Sequence, residues 1–157
     1  MVRQQQEGGF KSKERANKAE STVLICPTCG MVKAQKHWFW DPEIKESERQ
    51  EYKEKVCPGC LSIENGWYEG EVVLKNKIAM LVPSQITAMI NNLEEAHRHE
   101  DPKNRIVHID KKKTGWIVYT ASPYLARIIG DHLGKAYQSK VTYKWSPGNK
   151  FVRVIWE

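Results

Sequence analysis

Two Cys-x-x-Cys pairs, Cys26-Pro-Thr-Cys29 and Cys57-Pro-Gly-Cys60, constrain this chain more than any other feature. Each pair can turn as a knuckle that brings two thiolates to one ion, and two knuckles complete a tetrahedral four-sulfur site. Residues 30–56 separate the pairs, a longer interval than the commonest ribbon spacing, with room for a helix-bearing insertion. Gly30 and Gly59 stand beside the sulfurs, where tight turns call for backbone freedom. A closed set of four thiolates leaves no position for a substrate, so Cys26, Cys29, Cys57 and Cys60 read as ligands of one structural Zn2+ ion. An iron–sulfur cluster takes the same ligands, but nothing in the sequence marks an electron-transfer partner. A thioredoxin-type redox pair should open a helix after a strand of a βαβ unit, and neither pair is expected to do so. His37 could replace one cysteine, although four cysteines already fill a tetrahedron.

The rest of the chain falls into three parts. Residues 1–21 have one aromatic, two adjacent glycines and mixed charge without helix or strand period, the composition of a disordered basic arm. Residues 22–69 form the four-cysteine module. Between its pairs, "DPEIKESERQEYKEK" is almost wholly charged and predicts a solvated helix starting at Asp41-Pro42, with Glu51 and Lys55 one turn apart. Residues 70–157 alternate strand and helix patterns. "EVVLKN" is a strand, and "SQITAMINNLEEAHRH" a helix with Ile86, Met89, Ile90, Leu93 and His97 on one stripe. "NRIVHID" and "GWIVYTA" are strands joined by a turn ending at Gly115. "SPYLARIIGDHLGKAYQ" is a second helix, capped by Ser122 with Pro123 at its first position. Its inward stripe is Leu125, Ile128, Ile129, Leu133 and Ala136. "KVTYKW" and "FVRVIW" close the chain as a hairpin about "SPGN".

The fold class expected is therefore α+β. A zinc ribbon-like module precedes a ferredoxin-like β-α-β-β-α-β domain, and an extra C-terminal hairpin strand extends that sheet. Both helices would cover one face and leave the other to a partner.

Charge points the same way. The formal net charge is +6, and residues 71–157 alone hold fourteen Lys/Arg against eight Asp/Glu, 14 − 8 = +6. A basic unit joined to a cysteine module fits a nucleic-acid binder. No apolar run is long enough to span a bilayer and the N-terminus is polar, so no membrane association is expected and the location reads as cytoplasmic. Reduced thiols in that compartment agree with metal ligation. Lys111, Lys112 and Lys113, in a turn between strands, suit phosphate contact, as do Arg127 and Lys144. Trp38, within Trp38-Phe39-Trp40, is an aromatic for base stacking or for packing the small module. On "TGWIVY", Trp116 and Tyr119 should point to opposite faces, so one enters the core and the other can stack. His108, Asp110, Asp131 and His132 are acid–base types without a marked nucleophile, and no Gly-rich phosphate loop is present, so an enzyme is not expected.

"CPTCGMVKAQKHW", "CPGCLSIENGWYEGEVVLK" and the following "YTASPYLARIIGDHLGKAYQSKVTYKW" resemble the archaeal and eukaryotic large-ribosomal-subunit export and assembly adaptor family. The likeness covers about residues 22–157 and would make the chain a short bacterial-type relative. It implies a ribosome-associated, RNA-binding protein of the large subunit, acting in assembly, quality control or translation, with zinc as a structural ion. It carries over to Cys26, Cys29, Cys57 and Cys60, and to Trp38, Trp67 and Tyr68 as aromatic counterparts. The earlier cysteine cluster, the later translation-factor-like domain and the long export-receptor tail of that family have no counterpart here. The competing expectation is a protein–protein adaptor that uses the sheet face or edge, with zinc purely structural.

Overall fold

A computed structural model describes residues 23–49 and 51–157, so the arm expected over 1–21 lies outside the described residues. The chain divides into two compact units, one ending at Cys57 and the other beginning at Pro58. The division falls inside the second cysteine pair.

Among its described residues the first unit carries four short strands and one short helix: β1 (Leu24–Ile25), β2 (Val32–Ala34), β3 (His37–Phe39), α1 (Glu46–Arg49) and β4 (Lys53–Glu54). They form one sheet in the order β3-β2-β1-β4. β1 and β2 make an antiparallel hairpin around the first cysteine pair, with Ile25 opposite Val32. β4 runs parallel to β1, with Leu24 opposite Lys53. The long charged helix expected here is not formed. α1 is a four-residue remnant, and the chain after it is held extended where the Lys55 N–H donates to the Ile25 carbonyl at 2.9 Å. Pairing with β1 outweighs the weak helical preference of an isolated charged run.

The second unit holds α2 (Pro58–Asn65), β5 (Gly70–Leu74), α3 (Ile78–Leu81), α4 (Pro83–His97), β6 (Ile106–Lys112), β7 (Gly115–Thr120), α5 (Pro123–Tyr137), β8 (Val141–Trp145) and β9 (Val152–Trp156). A 3-10 turn at Pro147–Asn149 joins the last two strands. Both long helices match the sequence stripes, since Ile86, Ile90, Leu125, Ile129 and Leu133 are fully buried. Ala136 is exposed and Ala126 takes its expected place in the core. Ser122 caps α5 as expected, its Oγ accepting the Leu125 N–H at 3.1 Å.

The strand order corrects the expected sheet. It runs β6-β7-β5-β9-β8. The β6-β7-β5 half keeps the split βαβ arrangement, but the strand after α5 does not lie beside β5 as in a ferredoxin-like sheet. β9 takes that position, parallel to β5, with Val72 opposite Val154. β8 is displaced to the outer edge, antiparallel to β9. Burial explains the exchange. Four of the five β9 residues are buried, whereas β8 ends in two exposed ones. A strand apolar on both faces belongs in the middle of a sheet and a half-polar one at its rim. The α+β class stands, and the C-terminal hairpin enters the sheet in reverse.

The core lies between the sheet and α4 and α5, built on Val72, Leu74, Val118, Val154 and Trp156 from the strands. The Trp156 Nε1–H donates to Ser139 Oγ, and its ring centroid lies 5.6 Å from that of Tyr137. The Tyr143 hydroxyl donates to Asp131. Burial, that bond and the Asp131 charge push its pKa from 10.0 up to about 12. No helix among the described residues is long and apolar enough to cross a membrane.

Two predictions follow from this packing. Trp156→Ala should cost about 3–5 kcal/mol in urea unfolding, while Trp145→Ala on the rim should cost under about 1 kcal/mol, because only the first empties a core site. Because the folded-state pKa of Tyr143 is raised, its contribution to stability is complete below pH 10.0 and is lost as pH rises toward about 12. A phenolate absorbance titration of wild type against Tyr143→Phe should show the missing transition at the alkaline end.

Candidate functional site

The four cysteines converge. Their sulfurs all lie within 4.8 Å of one another, the only such group of metal-ligating side chains among the described residues. Cys26, Cys57 and Cys60 are buried and Cys29 is half-buried. The first knuckle is built by the β1–β2 turn, where the Cys26 N–H donates to the Met31 carbonyl at 2.8 Å and the Gly30 N–H to the Cys26 carbonyl at 2.9 Å. Gly30 holds φ at 79°, a left-handed conformation that disfavours side chains. The Cys57 N–H donates to Cys26 Sγ at 3.3 Å.

The second knuckle differs from expectation. Cys60 sits in the first turn of α2, so this pair does open a helix. The helix is no βαβ crossover, because β4 and β5 belong to different sheets. Gly59 is required there for space rather than for an unusual φ, since a Cβ would lie 1.6 Å from the Pro102 carbonyl oxygen. Arg105 directs Nη1 at Cys60 Sγ from 3.8 Å, and its Nε donates to Glu94 at 2.9 Å.

The donor set fits a tetrahedral thiophilic ion. Metal–sulfur bonds of about 2.3 Å place sulfurs about 3.8 Å apart, and Cys29 Sγ lies 3.6 Å from Cys57 Sγ. A disulfide would need about 2.0 Å. Were all four sulfurs to ligate one ion, they would fill a tetrahedral shell. His37 is exposed and outside the group.

The residues expected to touch nucleic acid lie on different elements. Lys111 turns toward the helix side, 4.4 Å over the Trp116 ring, and donates to Thr87 Oγ1 at 3.0 Å. Lys112 pairs with Asp110 at 3.3 Å, and Lys113 is exposed in the turn. Arg127, on α5, lies 5.5 Å over the Tyr124 ring. Lys144 is exposed on β8, at the sheet edge opposite β6. Trp38 is half-buried on β3 of the first unit. Of the acid–base types, Asp131 accepts the Tyr143 hydroxyl, and His132 is exposed.

Sequence reasoning missed Glu71, Phe151 and Arg153, which gather about Tyr68, a residue named there only as an aromatic counterpart through the resemblance. The Tyr68 and Tyr119 ring centroids are 4.7 Å apart, those of Tyr68 and Phe151 6.2 Å. His108 stacks on Tyr119 at 6.2 Å. Arg153 Nε donates to Glu71 at 2.8 Å, which holds its guanidinium pKa above the ordinary value. Burial, then the Glu71 charge, raise the Tyr119 pKa. Trp116 is in the core and Tyr119 on the other face, as strand alternation requires.

No protein-family model, curated protein or solved structure matches the chain.

Stripping the metal with a strong thiol-competing chelator, or replacing Cys57 by Ser, should unfold the first unit, since structural four-ligand sites supply on the order of 10 kcal/mol. Circular dichroism before and after chelation reads this out; an unchanged melt would mean that the cluster carries no structural ion. Gly59→Ala should destabilise the second unit by about 1–3 kcal/mol or more through overpacking against Pro102.

Proposed function

We propose that this chain is a zinc-stabilised, RNA-binding accessory protein of the cytoplasm that associates with the large ribosomal subunit in assembly, quality control or translation, and that it is not an enzyme. The observation that carries the reading is the cluster of four cysteines in a chain whose residues 71–157 hold a net charge of +6. An all-thiolate shell favours one zinc ion in a ribbon-like pair of knuckles and leaves no open coordination site for chemistry. The excess of Lys and Arg in residues 71–157 suits a polyanion. The ribosomal assignment rests on the resemblance of the cysteine segments and of the α+β segment after them.

A second reading, a protein–protein adaptor with purely structural zinc, draws on β8. It is the outer strand of its sheet, and it carries Trp145 at 43% exposure, a fit for strand addition by a partner.

Salt separates the two. Tagged protein in lysate, sedimented through sucrose gradients, should travel with the large subunit at low salt and leave it at high salt, because phosphate contacts weaken steeply with ionic strength. If the protein stays at the top of both gradients, the ribosomal reading fails. Comigration that ignores salt would favour the adaptor.

A further inference from the structure

We propose that the face of the five-stranded sheet opposite α4 and α5 binds single-stranded RNA, with Tyr119, Tyr68 and Phe151 stacking on bases and Arg153 and Lys144 meeting phosphates. This rests on the RNA-binding reading above and assigns it a place on the fold.

Register defines the surface. Lys144 lies opposite Arg153, Arg153 opposite Glu71, Glu71 opposite Tyr119 and Tyr119 opposite His108. Residues in register across a sheet project to one side, so these five form a single row over all five strands. Thr142, Ile155, Val73, Ile117 and Asp110 make the next row. The alternate residues Val72, Val118 and Val154 are fully buried in the helix-covered core, which places both rows on the other face.

That face has the makings of a base-stacking platform. Its central strands β5 and β7 carry no large aliphatic at the row of Glu71 and Tyr119, and the Tyr119 ring is extended by Tyr68, which is 43% exposed, and by Phe151 beyond it. Aromatic rings displayed from the middle of an open sheet are how sheet-type RNA modules hold unpaired bases, and such stacking is tolerant of sequence. The charges are complementary to a phosphate chain. Glu71 and Asp110, the carboxylates of the two rows, already bond to Arg153 and Lys112. Lys144 has no ion pair among the described residues, and the Arg153 side chain remains 53% exposed while its Nε is held by Glu71. A guanidinium fixed at one nitrogen still presents further N–H donors to an oxyanion. Another groove of the second unit is less suited. The groove by Tyr124 and Trp145 is bordered by Glu100 and Asp101, and its Lys103 is held by Glu69 at 2.6 Å.

The test is fluorescence anisotropy of the full chain with a 5′-fluorescein single-stranded RNA 12-mer of mixed sequence, and with the same RNA as a duplex. Tyr68→Ala and Lys144→Glu alter exposed side chains and should leave the melting temperature unchanged. Each should weaken single-strand binding, Tyr68→Ala by about tenfold. Tyr119→Ala should add a further loss, and the single strand should bind more tightly than the duplex. Lys135→Ala, at an exposed position on α5 away from the two rows, should change affinity by less than about twofold. If wild type binds the 12-mer but Tyr68→Ala and Lys144→Glu bind as tightly, the sheet-face site is overturned while RNA binding stands. If wild type binds no RNA, both fall. Should Tyr119→Ala unfold, the exposed pair still decides the outcome.

Discussion

Four sulfurs drawn within 4.8 Å of one another are the constraint on which the N-terminal unit depends. Its strands are two or three residues long. Apart from cysteines, the buried apolar side chains among its described residues are Ile25, Met31 and Val32. So little apolar surface cannot offset the entropy of ordering the loops between the strands. Metal–thiolate bonds at the cysteine cluster would, because binding energy becomes folding energy where no site exists in the unfolded chain. The local structure is arranged accordingly: Gly30 turns the first knuckle, the Cys57 N–H supports Cys26 Sγ, and Gly59 admits the Pro102 carbonyl beside Cys60.

The larger unit rests on a conventional core, and its organising element is β9. Buried at four of five positions, it must sit between two other strands, and β5 offers the only central place left once β6, β7 and β5 have paired. Because β9 runs parallel to β5, the hairpin with β8 has to enter from the far side and leave β8 at the rim. Trp156 then closes the core against Tyr137 and Ser139.

Most elements of this unit were legible in the sequence because their signals are local. Ser122-Pro123 opens α5, apolar stripes mark α4 and α5, and β-branched runs mark the strands. The cysteine set was legible for the same reason, since each knuckle is a four-residue device. What was not legible is set by partners distant in the chain. β4 is a strand because β1 is beside it, and a charged run that reads as helix gives no sign of this. The order of β8 and β9 depends on burial on both faces of "VRVIW", which its position at the end of a terminal hairpin disguises as an edge extension. Surfaces suffer most. The lysine run 111–113 stands out in the sequence, yet Lys111 faces the helix side and Lys112 an aspartate. The row of Lys144, Arg153, Glu71, Tyr119 and His108 becomes visible only when register aligns five strands.

The most direct measurement is X-ray absorption on the purified chain at the edge of its bound metal, combined with metal stoichiometry. One zinc ion per chain with four sulfur neighbours at about 2.3 Å is the expected result. Nitrogen or oxygen neighbours in place of sulfur, or folded protein carrying no metal with all four thiols reactive, would contradict a closed four-thiolate centre.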